Sequence, residues 1–194
     1  LLSNGIDVNS VDKDGKTPLM YAAENAYYEV FNILKEYGAE INKTDNEGKT
    51  ALMYCCITGD EYENALWLVE NDADVDVVDN KGKTALIHAC ENYYREDGVE
   101  IVKILTDAGC DVNAVDKTGK TALFYAVDDS IHNMGFRYEM SLLLIKNGAD
   151  VTVTDENGKN LLMRICEGRI GGGEIYDIIP VMLEKGIDIN ATDD

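Results

Sequence analysis

Histidine, proline and arginine are scarce in this 194-residue chain, at 2, 2 and 4 copies. The two histidines, His88 and His132, fall in unrelated places, and no nucleophile–base pair or metal cluster can be assembled around them. The sequence is therefore read as non-enzymatic, with no catalytic residue, metal or cofactor. Basic residues are few as well: 17 Lys and Arg stand against 37 Asp and Glu, a net charge of −20. Such a chain repels phosphate backbones and anionic membrane surfaces, so neither nucleic acid nor membrane is an expected partner. No run approaches the ~20 apolar residues of a membrane-spanning helix, and no basic-then-apolar signal opens the chain. The 5 cysteines include no Cys-x-x-Cys pair. They read as small buried hydrophobes in a reducing, cytoplasmic setting. His88-x-Cys90 is no metal pair, because residues two apart on a helix do not face each other. Gly168 and Gly171–Gly173 follow no strand and precede no Lys-Ser/Thr, which excludes a phosphate loop. Asp12, Asp14 and Gly15 lack the further ligands of a calcium loop.

What is present is a repeat. DKDGKTPL, DNEGKTAL, DNKGKTAL, DKTGKTAL and DENGKNLL place glycines at 15, 48, 82, 119 and 158, with spacings of 33, 34, 37 and 39. Each is preceded by an echo: GIDVN, GAEIN, DADVD, GCDVN and GADVT, with GIDIN near the end. Units of this length stack because none can bury its apolar face alone. TPLMYAA (17–23) followed by GAEIN (38–42) makes the chain resemble the ankyrin repeat family over nearly its whole length. It departs from that pattern in keeping Pro only at Pro18, in lacking the His after Leu, and in lengthening three later repeats.

The resemblance implies an all-α helix–turn–helix solenoid with short hairpin or loop connections, the hairpins too brief to count as strands. The expected layout is one array over 1–194: the end of a partial repeat at 1–11, full repeats at 12–44, 45–78, 79–115, 116–154 and 155–192, and the start of another at 193–194. Asp-x-x-Gly makes a tight turn, and Thr17, Thr50, Thr84, Thr121 and Asn160 are helix N-caps. Leu19, Leu52, Leu86, Leu123 and Leu162 form a core row. Gly38, Gly109, Gly148 and Gly186 end second helices, with Asp72 in the fifth place. Cys56, Cys90 and Cys166 share one small apolar row with Ala23 and Val127, too far apart for disulfides. Pro180 kinks the last second helix or delays its start.

Two surfaces are candidate partner sites. Rows at i, i+4 and i+8 share a face of the first helices: Lys16, Lys49, Lys83, Lys120 and Lys159; Met20, Met53, Ile87, Phe124 and Met163; and Glu24, Ile57, Glu91, Asp128 and Glu167. In the family the corresponding face looks onto a concave groove beside the hairpin tips. The middle row either floors that groove or packs between neighbouring helices. Asp12, Asp45, Asp79, Asp116 and Asp155 are expected to line up beside the tips. The second surface comes from insertions of about 4, 6 and 5 residues between paired helices. They carry Tyr93, Tyr94, Arg95, Phe136, Arg137, Arg169 and Ile170, either as loop filler or as a basic, aromatic ridge. The function that follows is a scaffold binding another protein, with end-to-end association of copies as a further expectation. The alternative is a targeting or regulatory module of a larger enzyme or secreted effector.

Overall fold

The computed structural model describes residues 7–59, 62–92, 97–127, 134–167 and 174–192. Among them the regular structure is helical: α1 (Pro18–Glu24), α2 (Tyr28–Glu36), α3 (Ala51–Thr58), α4 (Tyr62–Glu70), α5 (Ala85–Glu91), α6 (Asp97–Asp107), α7 (Ala122–Ala126), α8 (Met134–Lys146), α9 (Leu161–Glu167) and α10 (Ile178–Glu184). The odd-numbered helices stack in one layer, α1 on α3 on α5 on α7, and α4, α6 and α8 stack in the other. No strand forms among the described residues; the connecting fingers contribute one isolated antiparallel bridge, Thr154 with Asn160.

Four of the five first helices start on a side-chain cap. The Oγ1 of Thr17, Thr50 and Thr84 accepts the N–H of Met20, Met53 and Ile87, each at 3.3 Å, and Asn160 Oδ1 accepts that of Met163 at 3.0 Å. Such a cap satisfies one of the four N–H groups that every helix start leaves over. Thr121 departs from this: it occupies the cap position, but its buried Oγ1 makes no bond, and α7 is the shortest helix. Second helices end on left-handed residues, and Asp72 takes that conformation at φ +66° where its counterparts are glycine. Pro180 falls in the first turn of α10, whose start is delayed behind a 3-10 turn at Glu174–Asp177. There its missing N–H costs no helical bond.

The core runs the length of the stack. Leu19, Leu52, Leu86 and Leu123 are fully buried, but the row stops there: Leu162 is half-buried, and Leu161 and Ile165 fill the core of the last repeat. The cysteine row is corrected in the same place. All five thiols are free, and Cys55, Cys56, Cys90 and Cys110 are buried, whereas Cys166 is exposed. Its helix, α9, has no described first helix packed on its far side, so the position covered in earlier repeats lies open.

Two hydrogen-bond ladders tie one repeat to the next. At the finger tips, Asn46, Asn80, Lys117 and Glu156 donate backbone N–H to Asp14, Glu47, Lys81 and Thr118 carbonyls at 2.8–3.2 Å. The approach is close: a Cβ on Gly15 would lie 2.7 Å from Asn46 N, on Gly48 3.0 Å from Asn80 N, on Gly82 3.1 Å from Lys117 N, and on Gly119 3.5 Å from Glu156 N. The second ladder is made of asparagines. Asn9, Asn42 and Asn113 each donate Nδ2–H to a carbonyl of the next loop (Gly38, Asp72, Gly148) and accept an N–H there (Glu40, Asp74, Asp150). At the third junction Asp76 replaces Asn. Its Oδ1 accepts Asp111 N–H at 2.9 Å, but a carboxylate has no hydrogen to offer the Gly109 carbonyl.

Two outcomes test this architecture. Asp76→Asn is expected to raise stability by about 1 kcal/mol, read from the urea midpoint, because it completes the ladder and removes a charge beside Asp74 and Asp111. Under native conditions a thiol reagent is expected to modify Cys166 rapidly and the other four cysteines only on unfolding; burial pushes Cys55 up to about 12 and Cys90 higher.

Candidate binding surface

The aspartates expected beside the tips turn out to be working parts of the fold. Oδ1 of Asp45 accepts the N–H of Glu47 and Lys49 at 2.8 and 2.9 Å, closing the turn from within. Asp12, Asp79, Asp116 and Asp155 do the same two and four residues on. The second oxygen reaches across to the first helix, nine residues later. Tyr21, Tyr54 and Tyr125 donate their hydroxyls to it at 2.7, 2.5 and 2.5 Å, and His88 Nε2 lies at 3.0 Å from Asp79 Oδ2. Asp45, Asp79 and Asp116 are buried as a result. An exposed acidic row at this position is therefore not what forms, since a carboxylate accepting three hydrogen bonds has little left for solvent. Burial pushes the Asp79 carboxyl up, but the Lys83 and Lys81 amides and His88 outweigh it, and its pKa ends below the usual range. The same braces raise the phenols of Tyr54 and Tyr125, with burial the larger cause.

The lysine row is likewise engaged within the molecule. Lys16 pairs with Glu24 at 2.9 Å, Lys83 with Glu91 at 2.5 Å, and Lys159 with Glu167. Lys49, facing Ile57 in place of an acid, turns to Glu47 at 2.5 Å. Lys16 also lies 4.3 Å from the ring centre of Tyr54 in the next repeat, Lys83 lies 4.7 Å from that of Tyr125, and Lys120 sits 5.8 Å from Tyr125 within its own repeat. Half-buried cation–π contacts of this kind contribute on the order of 1 kcal/mol. The apolar row is closed off: Met20, Met53, Ile87 and Phe124 are fully buried, and only Met163 is half-exposed. It packs between neighbouring first helices and does not floor a groove.

The ridge is corrected in part. Tyr93, Tyr94, Arg95, Arg169 and Ile170 lie outside the described residues, as does Asp128. Phe136 is half-buried, and Arg137 is wholly buried, donating Nε–H to the Ala126 carbonyl at 3.3 Å. The insertion before them is shorter than the sequence suggests, because α8 begins at Met134. Arg137 thus falls in the first turns of a helix, eleven residues before its closing glycine, where α6 has the buried Gly98.

A further surface lies on the outer side of the fingers. Residues alternate along each finger, so that Val8, Ile41, Val75, Val112 and Val151 face inward while their neighbours face out. Outward go Asp7, Glu40, Asp74, Asp111, Asp150 and Asp188, one per repeat, and four residues on Val11, Val78 and Val115, exposed at 52, 53 and 54%. The five aspartates each accept the backbone N–H two residues on, and among the described residues only Glu40 of this set has a lysine or arginine within reach, Lys43 at 3.9 Å. The signal is present in the third letter of each GIDVN echo, of which the helix-ending residue accounts only for the first. Among the described residues no three His, Cys, Asp or Glu side chains stand close enough to hold a metal, and no helix is long and apolar enough to cross a membrane.

The braces predict a specific pH response. Burial drives the His88 imidazole below its ordinary pKa, although Asp79 pulls it upward; Lys83 lowers it further and Glu91, 4.0 Å from Nδ1, raises it. The folded state then binds that proton less readily than the unfolded chain. The stability His88 contributes is present above its unfolded value, near 6.5, and lost as pH falls through the folded one. Asp79, also depressed, adds a loss in the same direction at lower pH. The urea midpoint is expected to fall between about pH 7 and pH 5. His88→Tyr, which restores the residue of Tyr54 and Tyr125, is expected to abolish that limb; a limb that survives in the variant would place the titration elsewhere.

Comparison with known proteins agrees with this geometry. No match is found among the curated proteins. The family model described as ankyrin repeats (3 copies) matches in overlapping stretches at residues 1–79, 42–116, 61–155 and 96–193. Those stretches run through every Asp-x-x-Gly turn and both ladders, and the chain belongs to the ankyrin repeat family.

Proposed function

We propose that the chain is a non-enzymatic scaffold that binds another protein, with the outer side of the fingers as its main contact surface. Ankyrin repeats are in general protein-interaction modules. One observation carries the choice of surface. The first-helix rows have their lysines, tyrosines and acids engaged with one another, whereas on the finger side Asp74 and Asp111 accept only a backbone N–H two residues on, and Val11, Val78 and Val115 stay more than half exposed. The Lys16, Lys49, Lys83, Lys120 and Lys159 row borders the contact and takes part through its exposed edges, not as a free basic stripe. Tyr93, Tyr94, Arg95 and Arg169 remain candidates for a second contact.

End-to-end association of copies is a further reading, supported by apolar residues at both ends of the stack. Tyr27, just before α2, and Val30 and Ile33 within it are exposed, Val30 at a position where Ile101, Met140 and Ile178 are buried; Leu183 and Ile189 are exposed in the last repeat. Sedimentation over a concentration range tests it.

For the scaffold itself, the test compares two surfaces against one captured partner. Changing Asp74 and Asp111 to Lys is expected to weaken binding about tenfold or more and to leave the helical circular dichroism intact. Lys83→Met is expected to lower stability by roughly 1 kcal/mol while changing affinity little. Affinity should fall with rising ionic strength. Unchanged binding in the finger variant, with loss in the lysine variant at full stability, would move the site to the first-helix face.

A further inference from the structure

The fingers of the third and fourth junctions carry a specific chemistry. Exposure alternates along each of them, so that each presents, in order, an exposed acid, a ladder residue and a β-branched residue: Asp74, Asp76, Val78, then Asp111, Asn113, Val115. The acid's Oδ1 accepts the ladder residue's N–H, at 3.0 and 2.9 Å, which folds each finger into a turn there. The ladder bonds hold neighbouring fingers side by side, so acids align with acids and valines with valines.

Asp76 is the informative residue. Three of the four ladder positions are asparagine and make two inter-repeat bonds; Asp76 gives one up and adds a third carboxylate between Asp74 and Asp111. The crowding is felt next door, where the Cys110 thiol is pushed up to about 12, chiefly by burial and then by Asp76 and Asp111. A carboxylate that forgoes an inter-repeat bond its asparagine counterparts make is a choice the ladder itself does not account for. The valines beside it are more than half exposed, which a merely solvating face would not require.

We propose that this central finger face receives a protein segment that is basic and aliphatic at once, its Lys or Arg side chains meeting Asp74, Asp76 and Asp111 and its apolar side chains covering Val78 and Val115. The proposal rests on the scaffold reading above and names the chemistry of the partner. Cationic complementarity supplies encounter rate and selectivity, and burial of the valines supplies residence time.

The experiment is selection of displayed random peptides of about twelve residues, long enough to cross several fingers, on the immobilised chain. The enriched peptides are expected to be cationic with interspersed Leu, Ile or Val. They are expected to lose about tenfold or more in affinity on the Asp74→Asn/Asp76→Asn/Asp111→Asn variant, and a comparable factor on Val78→Ser/Val115→Ser. The control Glu29→Gln/Glu36→Gln/Glu70→Gln removes the same charge from the second helices and should bind as the parent does. Asp76→Asn alone should gain stability while losing affinity, a pairing that a purely structural role does not produce. If the control weakens binding as much as the finger variant, the attraction is bulk charge and the proposal fails. Peptides that are not cationic but still depend on Val78 and Val115 would overturn the partner chemistry and leave the scaffold surface standing. Enriched peptides indifferent to every finger variant would overturn both.

Discussion

A single carboxylate per repeat, carried by Asp12, Asp45, Asp79, Asp116 and Asp155, makes the rest of the molecule possible. One oxygen closes the finger tip on two backbone amides, and in four repeats the other fixes the first helix through a tyrosine or histidine nine residues on. Without it the tip would leave two N–H groups unsatisfied close to the next repeat's backbone, where water has little room. The tip must be tight because its glycine approaches the following turn within van der Waals limits, and that approach is what lets the tip ladder form. Stack order, finger alignment and the burial of the leucine row all descend from this one contact. In the fifth repeat Arg164 stands where the others have a tyrosine or histidine, and it pairs with Glu167 at 3.1 Å.

The lysines reinforce the same scheme from outside. A lysine of one repeat lies over the aromatic ring that the aspartate of the next repeat holds in place, so Lys16–Tyr54–Asp45 and Lys83–Tyr125–Asp116 each join two units through three side chains. A surface that looks in sequence like opposed rows of charge is in space a set of cross-repeat clasps. This is why the functional reading shifts to the fingers, where Val11, Val78 and Val115 stay more than half exposed.

Much of the fold was legible in the residues. The Asp-x-x-Gly-Lys-Thr period marked the finger turns, Thr17 and Thr84 marked helix starts, and Asp72 was recognisable as a stand-in for a helix-ending glycine. The candidate site was less so, for physical reasons. Counting Asp45 or Asp79 as a charge ignored its capacity as a triple acceptor, and the tyrosine it binds belongs to a different element, nine residues away. Arg137 was misplaced because a loop insertion and an extra helical turn have the same length in sequence; only the start of α8 at Met134 separates them. Whether Met20 and Phe124 face a groove or a neighbour depends on the distance between helices, which no spacing along one helix contains. Asp76 was visible as a letter in DADVD, but its meaning required knowing which carbonyl stood opposite.

The tip glycines are not equally crowded: a Cβ on Gly15 would lie 2.7 Å from the Asn46 nitrogen, whereas one on Gly119 would lie 3.5 Å from that of Glu156. A side chain is therefore sterically excluded at Gly15, while at Gly119 it meets mainly the strain of a positive φ. The motif repeats in sequence, but the freedom to vary its glycine differs from one end of the array to the other.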